Sequence, residues 1–192
     1  MGGGTAFLIG SLVLASMLPF EFIPAEDVSR SNITIQLPPG STLAETDSVV
    51  QRVNTALLER PEVGGSTVGT TGYCMGGRLA LLAAATRPDA VAAIGMFHTG
   101  GLVTDEPDSP HRQLPRVRAD VLAIHADHDH SLPPEAVAEF EHALTSCGVS
   151  HSAWVHEGAH HGFTMADTAV YHPAAAEEHF ERLRDLFNRT LR

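Results

Sequence analysis

The sequence predicts an α/β fold: a parallel sheet with flanking helices, preceded by an apolar helix and a small strand–helix segment. Three observations predict it. From about Ser66 onward, short apolar runs alternate with segments of helical periodicity, the order in which parallel sheets are built. Gly72-Tyr73-Cys74-Met75-Gly76-Gly77 falls between a strand candidate and a helix candidate. Before these, Met1 to Phe20 carries no charged residue, and the segment after it holds one alternating run and one capped helical run.

Residues 1–20 have the length of a membrane span, but Pro19 and three glycines confine the strongly apolar part to Ala6–Leu18. A membrane span and a buried or interfacial helix both fit. Residues 21–64 follow as a strand–helix segment. Ile33, Ile35 and Leu37 alternate with polar residues, so Asn32–Leu37 reads as a half-buried strand that Pro38-Pro39-Gly40 ends. Thr42-x-x-Glu45 is a capping box, and Val49, Val50, Val53, Leu57 and Leu58 keep helical spacing to about Glu59 before Pro61. The junction falls in Val63–Thr67, and residues 65–192 form the larger domain. Its expected elements are a strand at 66–72, a helix from Gly76 to about Thr86, a strand at 91–97 and another at 120–126. A helix from Pro133 to about Cys147, a short strand at 152–157 and a final helix at 174–191 complete it.

Composition narrows the function. A formal net charge of −11 over 192 residues excludes a general nucleic-acid binder. Two cysteines, Cys74 and Cys147, are not a disulfide framework. Twelve histidines are an excess that calls for placement. His125, His128 and His130 with Asp127 and Asp129 invite a metal reading, yet a His-x-His-x-Asp-His template fails: counted from His128, the later positions are Leu132 and Pro133. The run is therefore not expected to be a metal site. His98, at a strand end, reads as a loop histidine satisfied by backbone, with a pocket-lining role as the rival.

The chemistry concentrates on Cys74. Gly72-x-Cys74-x-Gly76 after a strand and before a helix is the setting of a nucleophile elbow. There the side chain projects from a sharp turn at a helix N-terminus, whose dipole favours the thiolate. The Met75 N–H, next in the chain, faces an oxyanion. An acid and a histidine should follow in that order. Asp127 and Asp129 compete for the first role, and Asp129 is chosen because Asp-x-x-Leu-Pro aims the carboxylate before the next helix begins. His161 is chosen over His160 from its His-Gly-Phe context. His161 would take the thiol proton, and Asp129 would fix its tautomer.

Taken together, Gly72-Tyr73-Cys74-Met75-Gly76-Gly77, Asp129-x-x-Leu132-Pro133 and His161-Gly162-Phe163 resemble the three ordered blocks of the dienelactone hydrolases, over about residues 68–192. The resemblance implies a partial α/β-hydrolase-like sheet and a carboxylic ester hydrolase with a Cys-Asp-His triad. By the same implication its partner is a small-molecule ester or lactone, opened through a cysteine acyl-enzyme with no metal or organic cofactor. Well-known members carry an arginine four residues after the catalytic histidine. Met165 stands there in this chain, which argues against dienelactone itself as the substrate.

Residues 1–64 show nothing like that family's first half. Their motifs, Phe22-Ile23-Pro24-Ala25-Glu26-Asp27 and Leu37-Pro38-Pro39-Gly40-Ser41-Thr42-Leu43, resemble a segment of the resistance-nodulation-division efflux transporters. Several expectations follow: a domain lacking its N-terminal half, activity impaired by that truncation, and self-association through an exposed sheet edge. The competing function is a non-catalytic, membrane-associated or interaction fragment of transporter origin. Localisation divides the same way, cytoplasmic by the hydrolase resemblance and membrane-associated if residues 1–20 span.

Overall fold

The computed structural model of the protein describes residues 36–191, apart from residues 39, 61 and 62. The chain divides into two compact units, Met1–Gln51 and Arg52–Arg192. In the first, the Ser41 N–H donates to the Pro38 carbonyl at 3.2 Å, closing a turn before helix α1 (Leu43–Leu58). The capping box forms as its spacing predicts. The Thr42 N–H donates to Glu45 Oε2 at 2.7 Å, and the Glu45 N–H donates to Thr42 Oγ1 at 3.3 Å. Gln36 and Leu37, the end of the expected strand, are irregular. The rest of that strand and the apolar run at 1–20 lie outside the described residues. Among the described residues no helix is long and apolar enough to cross a membrane.

The second unit is a four-stranded, wholly parallel sheet with the order β1-β2-β3-β4. Its strands are β1 (Val68–Tyr73), β2 (Val91–Phe97), β3 (Asp120–His128) and β4 (His151–His160). Helices α2 (Met75–Thr86) and α3 (Pro134–Ser146) make the crossovers, with a 3₁₀ turn (Pro110–Arg116) on the way to β3, and α4 (Pro173–Thr190) ends the fold. The 3₁₀ turn was not expected from sequence. Pro110 starts it, and Pro115 withholds the backbone donor that a longer α-helix would need.

The alternation of strand side chains sorts the core into two layers. Ile94 and Met96 of β2, with Val121 and Ala123 of β3, pack with Leu81 and Ala84 of α2 and Phe140 and Leu144 of α3. The intervening residues Ala93, Phe97, Leu122 and Ile124 meet Leu183 and Leu186 of α4 on the other face. Gly95 gives Leu183 of α4 room to approach the sheet, since a Cβ there would lie 2.6 Å from Leu183 Cδ1 and that side chain would have to shift. On the outer side of β1 there is no strand partner among the described residues.

Strands β3 and β4 run beyond their expected ends at residues 126 and 157. Their ladder resumes after an irregularity with His128 paired to His160. Polar residues that read as loop are in fact the last rungs of the sheet. The consequence is a simple placement: Cys74, His98, Asp129 and His161 each directly follow the final residue of β1, β2, β3 and β4. All four therefore stand at the carboxyl edge of the sheet, where open α/β folds put their ligands.

Candidate active site

The turn at Cys74 is sharp because φ is +53° and ψ is −125° there, a conformation that strains a residue with a side chain. It is anchored to the sheet by the Cys74 N–H, which donates to the Phe97 carbonyl at 3.2 Å. Gly72 makes the turn sterically possible. A Cβ on it would lie 2.1 Å from both the carbonyl carbon and oxygen of Gly76, and backbone cannot step aside. Gly72→Ala is expected to lower stability by about 1–3 kcal/mol or more and to displace Cys74. Urea unfolding together with the rate of thiol alkylation would check this, and an unchanged pair of values would contradict it.

Across the edge, Asp129 Oδ2 lies 2.7 Å from His161 Nδ1. The other carboxylate oxygen accepts from the Ser131 N–H at 2.8 Å and the Ser131 hydroxyl at 2.5 Å. Asp129 is 8% exposed. Burial alone would raise its pKa, but the Ser131 and His161 hydrogen bonds together hold the carboxyl below its ordinary value. With Nδ1 committed to Asp129, Nε2 is the nitrogen that His161 has free. One ring nitrogen of His161 lies within 4.8 Å of both Cys74 Sγ and a ring nitrogen of His98.

Of the alternatives weighed from sequence, Asp127 instead accepts from the Gly158 N–H at 3.2 Å, and the His160 ring stands beside His128 with centroids 4.7 Å apart. Met75 is exposed at the mouth of a pocket that Cys74, Arg78, Asp129, Ser131 and His161 also line. Met165 is exposed too.

Two features depart from expectation. Burial pushes the Cys74 thiol up, and the negative charge of Asp129 adds to this, so the thiol rather than the thiolate is the resting form. Second, His98 is not a loop histidine satisfied by backbone. It is fully buried, its Nδ1 lies 3.2 Å from Cys74 Sγ, and its Nε2 lies 2.8 Å from Thr164 Oγ1. Burial, then the neighbouring His161, lowers its pKa to about 4, so the ring is neutral at pH 7. Cys74 and His98 (φ +39°) are the two non-glycine residues with positive φ among those described, and they touch each other. Strained backbone that clusters in this way is characteristic of functional sites. The sequence signal for His98 was its place directly after an apolar strand, the same as that of the other three.

The remaining histidines of the run scatter. His125 is buried in β3 against Phe140, with neither ring nitrogen hydrogen-bonded, and His128 Nε2 lies 3.9 Å from Asp127.

A strained cysteine at a strand–helix turn, beside a carboxylate–imidazole pair on the carboxyl edge of a parallel sheet, is an arrangement of the α/β hydrolases. The chain belongs to the dienelactone hydrolase family, whose family model matches residues 28–191. That match begins well before residue 68, where the resemblance was expected to start, and takes in most of the segment 21–64 that was expected to be unlike the family.

Among relatives, a protein of Escherichia coli (strain K12), provisionally named a carboxymethylenebutenolidase, is 27% identical over 161 residues, covering 82% of this chain and 57% of that one. The carboxymethylenebutenolidase of Rhodococcus opacus is 31% identical over 129 residues, covering 65% of this chain and 51% of that one. A crystal structure from Klebsiella pneumoniae subsp. pneumoniae MGH 78578, provisionally called a dienelactone hydrolase, superposes with a TM-score of 0.63 at 25% identity. It covers 76% of this chain and 59% of that one. The chain thus spans less than two thirds of the length of each of these relatives.

Proposed function

We propose that this chain cleaves a small-molecule ester or lactone through an acyl-enzyme on Cys74. The observation that carries the reading is the strained Cys74 turn, whose thiol faces the Asp129-bound His161 across 4.8 Å or less. In the reaction, His161 Nε2 takes the thiol proton as the sulfur attacks the substrate carbonyl carbon. The carbonyl oxygen becomes an oxyanion, held by the Met75 N–H at the start of α2. Collapse expels the alcohol, which takes the proton back from His161. Water, deprotonated by the same imidazole, then attacks the thioester; the carbon–sulfur bond breaks, the carboxylic acid leaves, and the Cys74 sulfur takes the proton back from His161. Asp129 keeps Nδ1 protonated and stabilises the imidazolium.

Arg78, in the pocket wall, is placed to attract an anionic group on the substrate and so serve in place of the arginine absent at Met165. The carboxymethylenebutenolidase name of the relatives fits a substrate of that kind. Met75 supplies one oxyanion donor; a second is worth about 10²–10³ in rate. The speed of the 192-residue chain therefore reports whether another segment provides it, and slow turnover is expected from Met75 alone.

The test is p-nitrophenyl acetate with intact and peptide mass measurement. An acetyl group on the peptide that carries Cys74, absent from Cys74→Ala, is expected. Equal p-nitrophenol release by wild type and Cys74→Ala would overturn the reading.

A further inference from the structure

We propose that Cys74, His98 and His161 form a binding site for a soft divalent cation, Zn²⁺ by its ligand chemistry, and that the bound ion shuts off Cys74 as a nucleophile. It shares its residues with the hydrolase reading but not its chemistry, and it concerns regulation of the site rather than turnover.

The three residues each offer one ligand atom, and these atoms lie within 4.8 Å of one another. The Sγ–Nδ1 separation between Cys74 and His98 is 3.2 Å. A tetrahedral zinc ion, with bonds of about 2.3 Å to sulfur and about 2.0–2.1 Å to nitrogen, spaces its ligand atoms by about 3.3–3.6 Å. One pair is already near that value, and the third residue needs to close by roughly an ångström. Three protein ligands leave a fourth position open toward the pocket, the pattern of accessible zinc sites.

The groups behind the ligands strengthen the case. A metal-bound imidazole normally has its second nitrogen held by a carboxylate or another polar partner. His161 Nδ1 has Asp129 at 2.7 Å, and His98 Nε2 has Thr164 Oγ1 at 2.8 Å. Each ring is thus held through one nitrogen, and fully buried His98 turns the other, Nδ1, toward Cys74 Sγ. Charge is compatible as well. One thiolate and a divalent ion leave a single positive charge, which the adjacent Asp129 carboxylate offsets; Arg78 in the pocket wall opposes it. Binding exchanges the thiol proton for a sulfur–metal bond and releases that proton to solvent, with no change of oxidation state.

Tag-free protein in a Cys147→Ser background, which removes the exposed thiol, would be titrated with Co²⁺ as a coloured stand-in and then with Zn²⁺ as competitor. A thiolate-to-cobalt charge-transfer band at one equivalent, displaced by Zn²⁺, is expected. Cys74→Ser and His98→Gln should lose the band. Thr164→Val should weaken binding about 10–100-fold, as loss of an outer-shell partner typically does. Circular dichroism and the melting temperature would verify that each variant is folded. No band in the folded parent protein, or a band that survives Cys74→Ser or His98→Gln, would overturn the site. Ester hydrolysis measured on the same metal-free samples keeps the two readings apart: activity without the band refutes the metal site alone, and the band without activity refutes the hydrolase alone.

Discussion

Asp129→Asn is expected to lower kcat about 10⁴-fold while the protein stays folded. That magnitude is typical of removing the carboxylate from a nucleophile–histidine–acid triad without disturbing its geometry. The reason is which proton goes where. Asp129 Oδ2 lies against His161 Nδ1 at 2.7 Å and accepts its hydrogen, which leaves Nε2 as the base. An asparagine can turn its amide N–H toward Nδ1, and then Nε2 carries the hydrogen and cannot accept one from sulfur. The two Ser131 hydrogen bonds at Oδ1 hold the side chain in place and would also hold the amide oxygen. Steady-state kinetics with p-nitrophenyl acetate, alongside the melting temperature, would check it. A loss of less than about tenfold in a folded variant would remove Asp129 from the mechanism and return Asp127 as the candidate.

The second large effect is on acid stability, and His125 is the residue that should show it most clearly. It is 2% exposed, packs edge-on against Phe140 at 6.1 Å, and has no hydrogen-bond partner on either ring nitrogen. Burial lowers its pKa from 6.5 to about 4, only partly offset by Asp129. The folded value lies below the unfolded one, so in this window the unfolded chain binds the proton first. Stability is therefore full above about pH 6.5 and is lost as pH falls toward 4, by about 3 kcal/mol from this residue at pH 4. Buried His98, with its pKa also lowered to about 4, acts in the same direction. His125→Leu should remove that share of the slope and leave the neutral-pH stability unchanged or higher, since it replaces an unpaired imidazole with an apolar group. Urea unfolding at pH 7 and pH 4 would measure it, and an equally steep loss in the variant would refute the assignment.

Much of this architecture was legible in the sequence because the second unit obeys simple periodicities. Strand β2 was placed at its observed ends, since Val91–Phe97 is an unbroken apolar run between turn residues. The turn at Cys74 was legible from glycines whose absence of a side chain is a steric need. Asp129 and His161, which the structure brings to 2.7 Å of each other, each sit beside a landmark visible in sequence, Leu132-Pro133 in one case and Gly162-Phe163 in the other. The ends of β3 and β4 were not legible. Their last rungs are polar, and polar residues at a strand end carry the same local signal as a loop.

His98 and Thr164 escaped for a different reason. Their partnership spans 66 positions of sequence, and no local pattern encodes a contact that only the sheet brings about. The resting state of Cys74 was also out of reach. A helix N-terminus can be read from sequence, but the burial and the nearby carboxylate that raise the thiol's pKa are properties of the assembled edge.

The order β1-β2-β3-β4 matches the order of synthesis, so each new strand docks beside the one made just before it. Such a sheet can grow rung by rung from its first strand as the chain emerges from the ribosome. Of the described strands the cysteine strand is made first, and the histidine proposed to deprotonate Cys74 arrives 87 positions later, from residue 74 to residue 161. A nascent chain would thus carry the elbow and its thiol well before the base existed to activate it. On this ordering the triad proposed for Cys74 is complete only once β4, the last of the described strands, has docked.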